Sequence, residues 1–213
     1  MPPPTTLAVF TAATLALLLV PGPAVVYIVT RSVAQGRAAG LVSVAGIHAG
    51  SVVHVVAAAL GVSALLAASA AAFTAVKYAG AAYLVYLGLR KLLTRAGGAL
   101  AGEIEPVSRS RLFGEGFVVN VLNPKTALFF LAFLPQFADP ARGPVAPQIV
   151  LLGLIWIALG MVSDGGYALL SAALAGRLRR SPAAARRLDV AGGLVYLGLG
   201  ALAAFASDGP RRA

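Results

Sequence analysis

Long apolar runs punctuated by short basic stretches constrain this chain more than any other feature. The first run begins at Leu7 and reaches Val29 without a charged residue, and comparable runs recur to the end of the sequence. About 20 such residues carry a helix across a bilayer. Of the 213 residues, 59% are hydrophobic and only 11% charged, whereas soluble domains carry about 25% charged residues. Polar side chains are too few to clothe a water-facing surface, and the mean hydropathy of +0.88 agrees. Membrane-spanning strands would alternate over ~10 residues, a pattern that is absent. The expected class is therefore an all-α integral membrane protein. The opening MPPPTT lacks the basic start of a signal peptide, and the run after it is too long for one, so it is expected to remain as a span.

Six transmembrane helices are expected, near 7–30, 41–67, 72–90, 112–137, 147–174 and 189–207. A linker, 93–111, divides one membrane domain (1–213) into pseudo-repeats 1–92 and 112–207. The loops after the first, third and fifth spans hold Arg31, Arg37, Arg90, Lys91, Arg95, Arg109, Arg111, Arg177, Arg179, Arg180, Arg186 and Arg187. The opposite side holds only Arg142, Arg211 and Arg212. Positive charge stays in the cytoplasm, so both termini are expected outside. Three spans per half then give two inverted three-helix halves, an arrangement common in secondary transporters. The net charge of +10 lies in these loops and does not point to nucleic acid.

Two spans carry a break. In LVPGPAVV, Pro21 and Pro23 lack an N–H and disfavour helix at the preceding residue, while Gly22 adds freedom. The carbonyls of Leu17 and Leu19 lose their usual helical partners. In NPKTALFFLAFLPQF, Asn123 and Pro124 interrupt the fourth span just before Lys125. At ~1.5 Å per residue, Pro124 lies roughly 18 Å and Pro23 roughly 12 Å from the cytoplasmic end of their spans. Each alone reads equally as a simple kink; matched breaks in the first helix of each half point to a transporter site. Freed N–H groups suit a carboxylate and freed carbonyls an ammonium, the two charges of an amino acid.

Lys125 is the most costly residue to place in lipid, at about 2.5–3.5 kcal/mol near a helix centre. Asp164 lies at a similar depth, and a Lys125–Asp164 pair would be either structural or responsive to protons and substrate. Asn120 and Asn123 share a helix face with Gly116, where amides either join helices or touch substrate. Gly46, Gly50, His54 and Gly61 form a small-residue packing stripe on the second span. His54 reads as a hydrogen-bonded core residue or as a proton carrier. His48 lies about 120° from it around the helix, so the two cannot chelate one ion. Glu115 is expected to form a salt bridge with Arg109 or Arg111, Asp189 to suit a helix N-terminus, and Lys77 to snorkel to the surface. Tyr83 is a candidate for burial, Tyr78 and Tyr86 for interfacial anchors. No metal site, cofactor or catalytic constellation is evident, and the absence of cysteine excludes thiolate chemistry.

The stretches PGPAVVYIVTRSVAQGRAAG at 21–40, GIHAGSVVHVVAAALG at 46–61, YAGAAYLVYLGLRKL at 78–92 and GFVVNVLNPKTALFFLAFLPQF at 116–137 resemble the LysE/RhtB amino-acid exporter family. The resemblance implies a six-span inner-membrane exporter of amino acids or related small metabolites, driven by an electrochemical gradient. Pro21, Gly22, Pro23, Asn123, Pro124 and Lys125 match its motifs and are the expected substrate-binding residues; Asp164, His54 and Asn120 are candidates for coupling or gating. The expected partners are a small amino acid, a coupling proton or sodium ion and the lipid bilayer, with a homodimer as an alternative to a monomer. A channel-like facilitator is the second functional reading, and a membrane enzyme the third. His48 departs from the pattern and has no assigned role.

Overall fold

The computed structural model describes residues 1–68 and 106–175, together with isolated helical positions between 75 and 93 and between 194 and 201. The rest of the spans expected at 72–90 and 189–207, including Lys77, Tyr83 and Asp189, lies outside the described residues, as do the basic positions 90–95 and 177–187. Every described element is helical. They are α1 (Pro4–Leu18), α2 (Pro23–Ala68), α3 (Arg109–Val121), α4 (Pro124–Leu128) and α5 (Val145–Ala173). α4 continues through a π turn, Phe129–Phe133, and a 3-10 turn, Leu134–Phe137; a second 3-10 turn, Pro140–Arg142, precedes α5.

Pro23–Gly61 and Val145–Ala173 are long and apolar enough to cross a membrane. A third span is made if α3 and Pro124–Phe137, bent by 46°, count as one. Their outward side chains include Leu60, Leu122 and Val162, all exposed. Such apolar surface suits lipid.

A loop was expected at 31–40, but helix runs into and out of Gly36, which alone departs from helical geometry with φ 84° and ψ −179°. That region is essentially open only to glycine. The chain folds back there: a Cβ on Gly40 would collide with Ser32 Oγ, whereas residues eight apart on a straight helix are separated by about 12 Å. Ile28 and Val44, on either side of the reversal, lie in one buried cluster with Ile47 and Ala168. α2 is thus two helical arms.

Small residues set the packing of the other helices on the second arm. Added Cβ atoms on Gly153 and Gly160 would meet Val55 and His48, and one on Gly40 would meet Ala168, so α5 runs antiparallel to this arm. Those on Gly46 and Gly50 would meet the carbonyls of Phe113 and Phe117, so α3 runs parallel to it. Two of the three glycines of the expected stripe therefore pack as anticipated; Gly61 has nothing within 4 Å among the described residues.

The ends also sort into two groups. The Met1 amino group donates to the Arg142 carbonyl at 3.0 Å, and the Val107 N–H donates to Gln35 Oε1 at 3.0 Å. The N-terminus and the turn before α5 therefore share one end, and the Gly36 reversal and the start of α3 share the other. Glu115 ties the second end together. It accepts from Arg111 Nε and from Arg31 Nη2, each at 2.8 Å, and from the Tyr27 hydroxyl at 3.2 Å. Arg111 was an expected partner; Arg31, from across the helix interface, was not.

Candidate functional site

The two breaks meet. α1 stops at Leu18 and α2 starts at Pro23; α3 stops at Val121 and α4 starts at Pro124. Asn123 is extended, with φ −77° and ψ 109°, and its Oδ1 accepts from the Lys125 N–H at 3.1 Å. Asparagine is a favoured N-cap and proline a favoured first helical residue, so Asn-Pro-Lys restarts a helix as readily as it ends one.

Breaking α1 frees carbonyls, and the structure shows where their new partners come from. Lys125 Nζ donates to Leu17 O and to Val20 O, each at 2.8 Å. The Tyr167 hydroxyl donates to Leu19 O at 2.8 Å. The second break therefore supplies the cation that satisfies the first. Buried backbone groups in a membrane protein require such partners, and an ammonium gives the stronger, charge-assisted bonds.

Asn120 closes the junction from α3. Its Nδ2 donates to Ile47 O at 2.8 Å and Ser51 Oγ at 2.9 Å, and its Oδ1 accepts from Thr126 Oγ1 at 3.0 Å. One amide thus holds α2, α3 and α4 in register. His54 Nε2 donates to the Asn120 carbonyl at 2.9 Å, and its ring stacks on Phe130.

A cavity lies between the breaks. Its wall includes Gly22, Ala24 and Val25 from the first, and Asn123, Lys125 and Thr126 from the second. Ile47, His48, Ser51 and Asn120 close one side, Trp156 and Asp164 another. The space open to the centre of a water molecule is about 20 Å³, enough for roughly one water. It is smaller than an amino acid.

Of the nine residues singled out in the sequence, Gly22, Asn120, Asn123, Lys125 and Asp164 line this cavity. Pro21, Pro23 and Pro124 flank it as the breaks themselves, and His54 sits behind Asn120. Asp164 Oδ2 lies 3.0 Å from His48 Nε2, and this hydrogen bond, not a Lys125–Asp164 contact, is the one the described residues show for Asp164. Both partners are buried, at 5% and 4% exposure. His48, Ser51, Thr126 and Trp156 were not foreseen as wall residues. The 120° between His48 and His54 was the available signal: it turns His54 towards α3 and His48 towards α5.

The family model described as LysE type translocator matches residues 15–207. A homoserine/homoserine lactone efflux protein of Salmonella typhimurium is 36% identical over 192 residues, covering 89% of this chain and 91% of that protein. An uncharacterized membrane protein of Vibrio cholerae is 35% identical over 188 residues, 88% of this chain and 91% of its own. A leucine efflux protein of Salmonella choleraesuis is 32% identical over 126 residues, 58% of each chain. No solved structure matches the chain.

Proposed function

Because the chain belongs to the LysE-type translocator family, and is thus a membrane transporter and not an enzyme, we propose that it exports amino acids or closely related small metabolites across the inner membrane. The driving force is an ion gradient. The relative that matches along nine-tenths of its length handles homoserine and its lactone, and the shorter match handles leucine; a small neutral amino acid or its lactone is the proposed substrate class.

The observation that carries this reading is the convergence of both breaks on one cavity walled by Lys125 and Asp164. In the proposed complex the substrate carboxylate meets Lys125 and the first turn of α2 beside Gly22, where the helix dipole favours an anion. The substrate ammonium lies towards Asp164. Pro21, Pro23 and Pro124 keep the breaks open, Asn123 caps the restarted helix, and Asn120 and His54 hold the junction about which the helices part.

The proposed architecture is six spans in two inverted three-helix halves, with both termini outside. The opposed arms of α2, with α3 parallel and α5 antiparallel to the second arm, support it, as does the gathering of Arg31, Arg37, Arg109 and Arg111 near the Gly36 end. A cavity of water size favours alternating access over an open pore.

The test is efflux of labelled amino acids and homoserine lactone from loaded vesicles, with pH and sodium gradients imposed separately. Export against a concentration gradient, driven by either ion, is expected. Purely downhill flux would replace this reading with a facilitator, and no flux of any compound would reject both.

A further inference from the structure

We propose that His48 and Asp164 form the proton-binding site that couples export to the proton gradient, with His48 Nδ1 as the atom that takes the proton. This rests on the transport reading above and names its coupling ion.

His48 stands on the second arm of α2 and Asp164 on α5, with Nε2 and Oδ2 3.0 Å apart and both residues in the cavity wall. An ionised carboxylate can only accept, so Nε2 carries the hydrogen of this bond. The other nitrogen of the neutral ring then holds a lone pair. That atom, Nδ1, is buried with no hydrogen-bond partner among the described residues. Buried polar atoms are nearly always satisfied, and an orphan asks for a reason. Here it is a base at the wall of a cavity with room for about one water. The ring is held in place by the lack of a side chain opposite: a Cβ on Gly160 would overlap His48 Cε1.

The charges around it supply the coupling. With Nδ1 free, the pair carries one negative charge; with Nδ1 protonated, it carries none. α4 presents Lys125 to the same cavity, and α5 presents Asp164. One turn beyond, Tyr167 donates to Leu19 O. Among the described residues, α1, α3 and the rest of α2 add no titratable side chain to the wall. Lys125 already balances Asp164, so a proton on Nδ1 and a substrate ammonium beside Asp164 are each a further, unbalanced positive charge, and the two exclude one another. Substrate binding from the cytoplasm therefore expels the proton to that side. Once the substrate has left on the outer side, water there returns a proton to Nδ1, and the protein carries it inward. One proton enters for each substrate exported.

The test uses purified protein in vesicles with labelled homoserine or leucine, in sodium-free buffer. With the membrane potential clamped at zero, a pH difference of one unit is expected to sustain about a tenfold substrate ratio across the membrane in wild type. His48→Gln keeps an N–H for Asp164 but has no basic lone pair. It is expected to exchange substrate more slowly and to sustain no ratio, a thermodynamic readout that slower turnover or looser packing does not alter. A His48→Gln protein that still sustains the tenfold ratio overturns the proposal. So does a wild type that exchanges substrate but ignores pH. Absence of exchange in wild type rejects the transport reading itself. Should His48→Gln fail to insert, wild type decides alone: substrate added to solubilised protein in weak buffer should release a stoichiometric proton to an indicator dye, and no release overturns the proposal.

Discussion

Lys125 Nζ lies 2.8 Å from the carbonyl oxygen of Leu17, 108 residues earlier in the chain. The same ammonium also holds Val20 O, so one side chain bridges the two interrupted spans. Lys125→Met removes both bonds, leaving the Leu17 carbonyl to the Val20 N–H at 3.1 Å and the Val20 carbonyl without its charged donor. A loss of roughly 2 kcal/mol is expected from bonds to a charged donor, read as a lower melting temperature in detergent. Export should fall at least as far as stability predicts, and an unchanged melting temperature would show that the bridge contributes little.

Pro124→Ala should act differently. Alanine can donate an N–H to the turn before it, so the 46° bend between α3 and the following segment should relax towards a continuous helix. Membrane insertion is expected to be near normal while export drops. Asn123→Ala removes only the cap and should cost about 1 kcal/mol. Full export by Pro124→Ala would detach the break from transport.

The glycines divide by what surrounds them. An added methyl at Gly46 would run into the Phe113 carbonyl, which is backbone and cannot swing aside. At Gly165 and Gly166 nothing lies within 4 Å among the described residues. Gly46→Ala should therefore destabilise the protein, while Gly165→Ala or Gly166→Ala should stabilise it by up to about 1 kcal/mol through helix propensity alone. Thermal unfolding of the variants side by side checks the order.

Trp156 is the sole tryptophan of the chain. It sits in the cavity wall, with its ring centroid 4.1 Å from that of Phe129. Substrate entering between the breaks must alter its surroundings. Titration of wild type with homoserine or leucine should change the intrinsic fluorescence saturably. Unchanged emission in a preparation that transports would move the substrate site away from this cavity.

Much of this was legible in the residue order. Two prolines around Gly22 forecast that the Leu17 and Leu19 carbonyls would need partners, and both have them in Lys125 and Tyr167. Asn-Pro-Lys inside an apolar run forecast the second break. What stayed hidden depends on long-range meetings. His48 and Asp164 are 116 residues apart, and no local pattern states that their helices pack face to face. The reversal at Gly36 was hidden for another reason: one glycine in an ε-type conformation replaces a whole loop, and nothing in a polar-looking stretch such as RSVAQGRAAG separates the two outcomes.

The π turn at Phe129–Phe133 bears on which changes of chain length this span can absorb. A π turn closes its hydrogen-bonded ring one residue later than an α turn. Deleting a single residue there can convert it to an ordinary turn, leaving Lys125 on one side and Gln136 on the other facing as they did. The same deletion in α3 would rotate everything after it by about 100° and carry Asn120 off the Ile47 carbonyl. The segment that looks least regular is thus the one most forgiving of a lost codon.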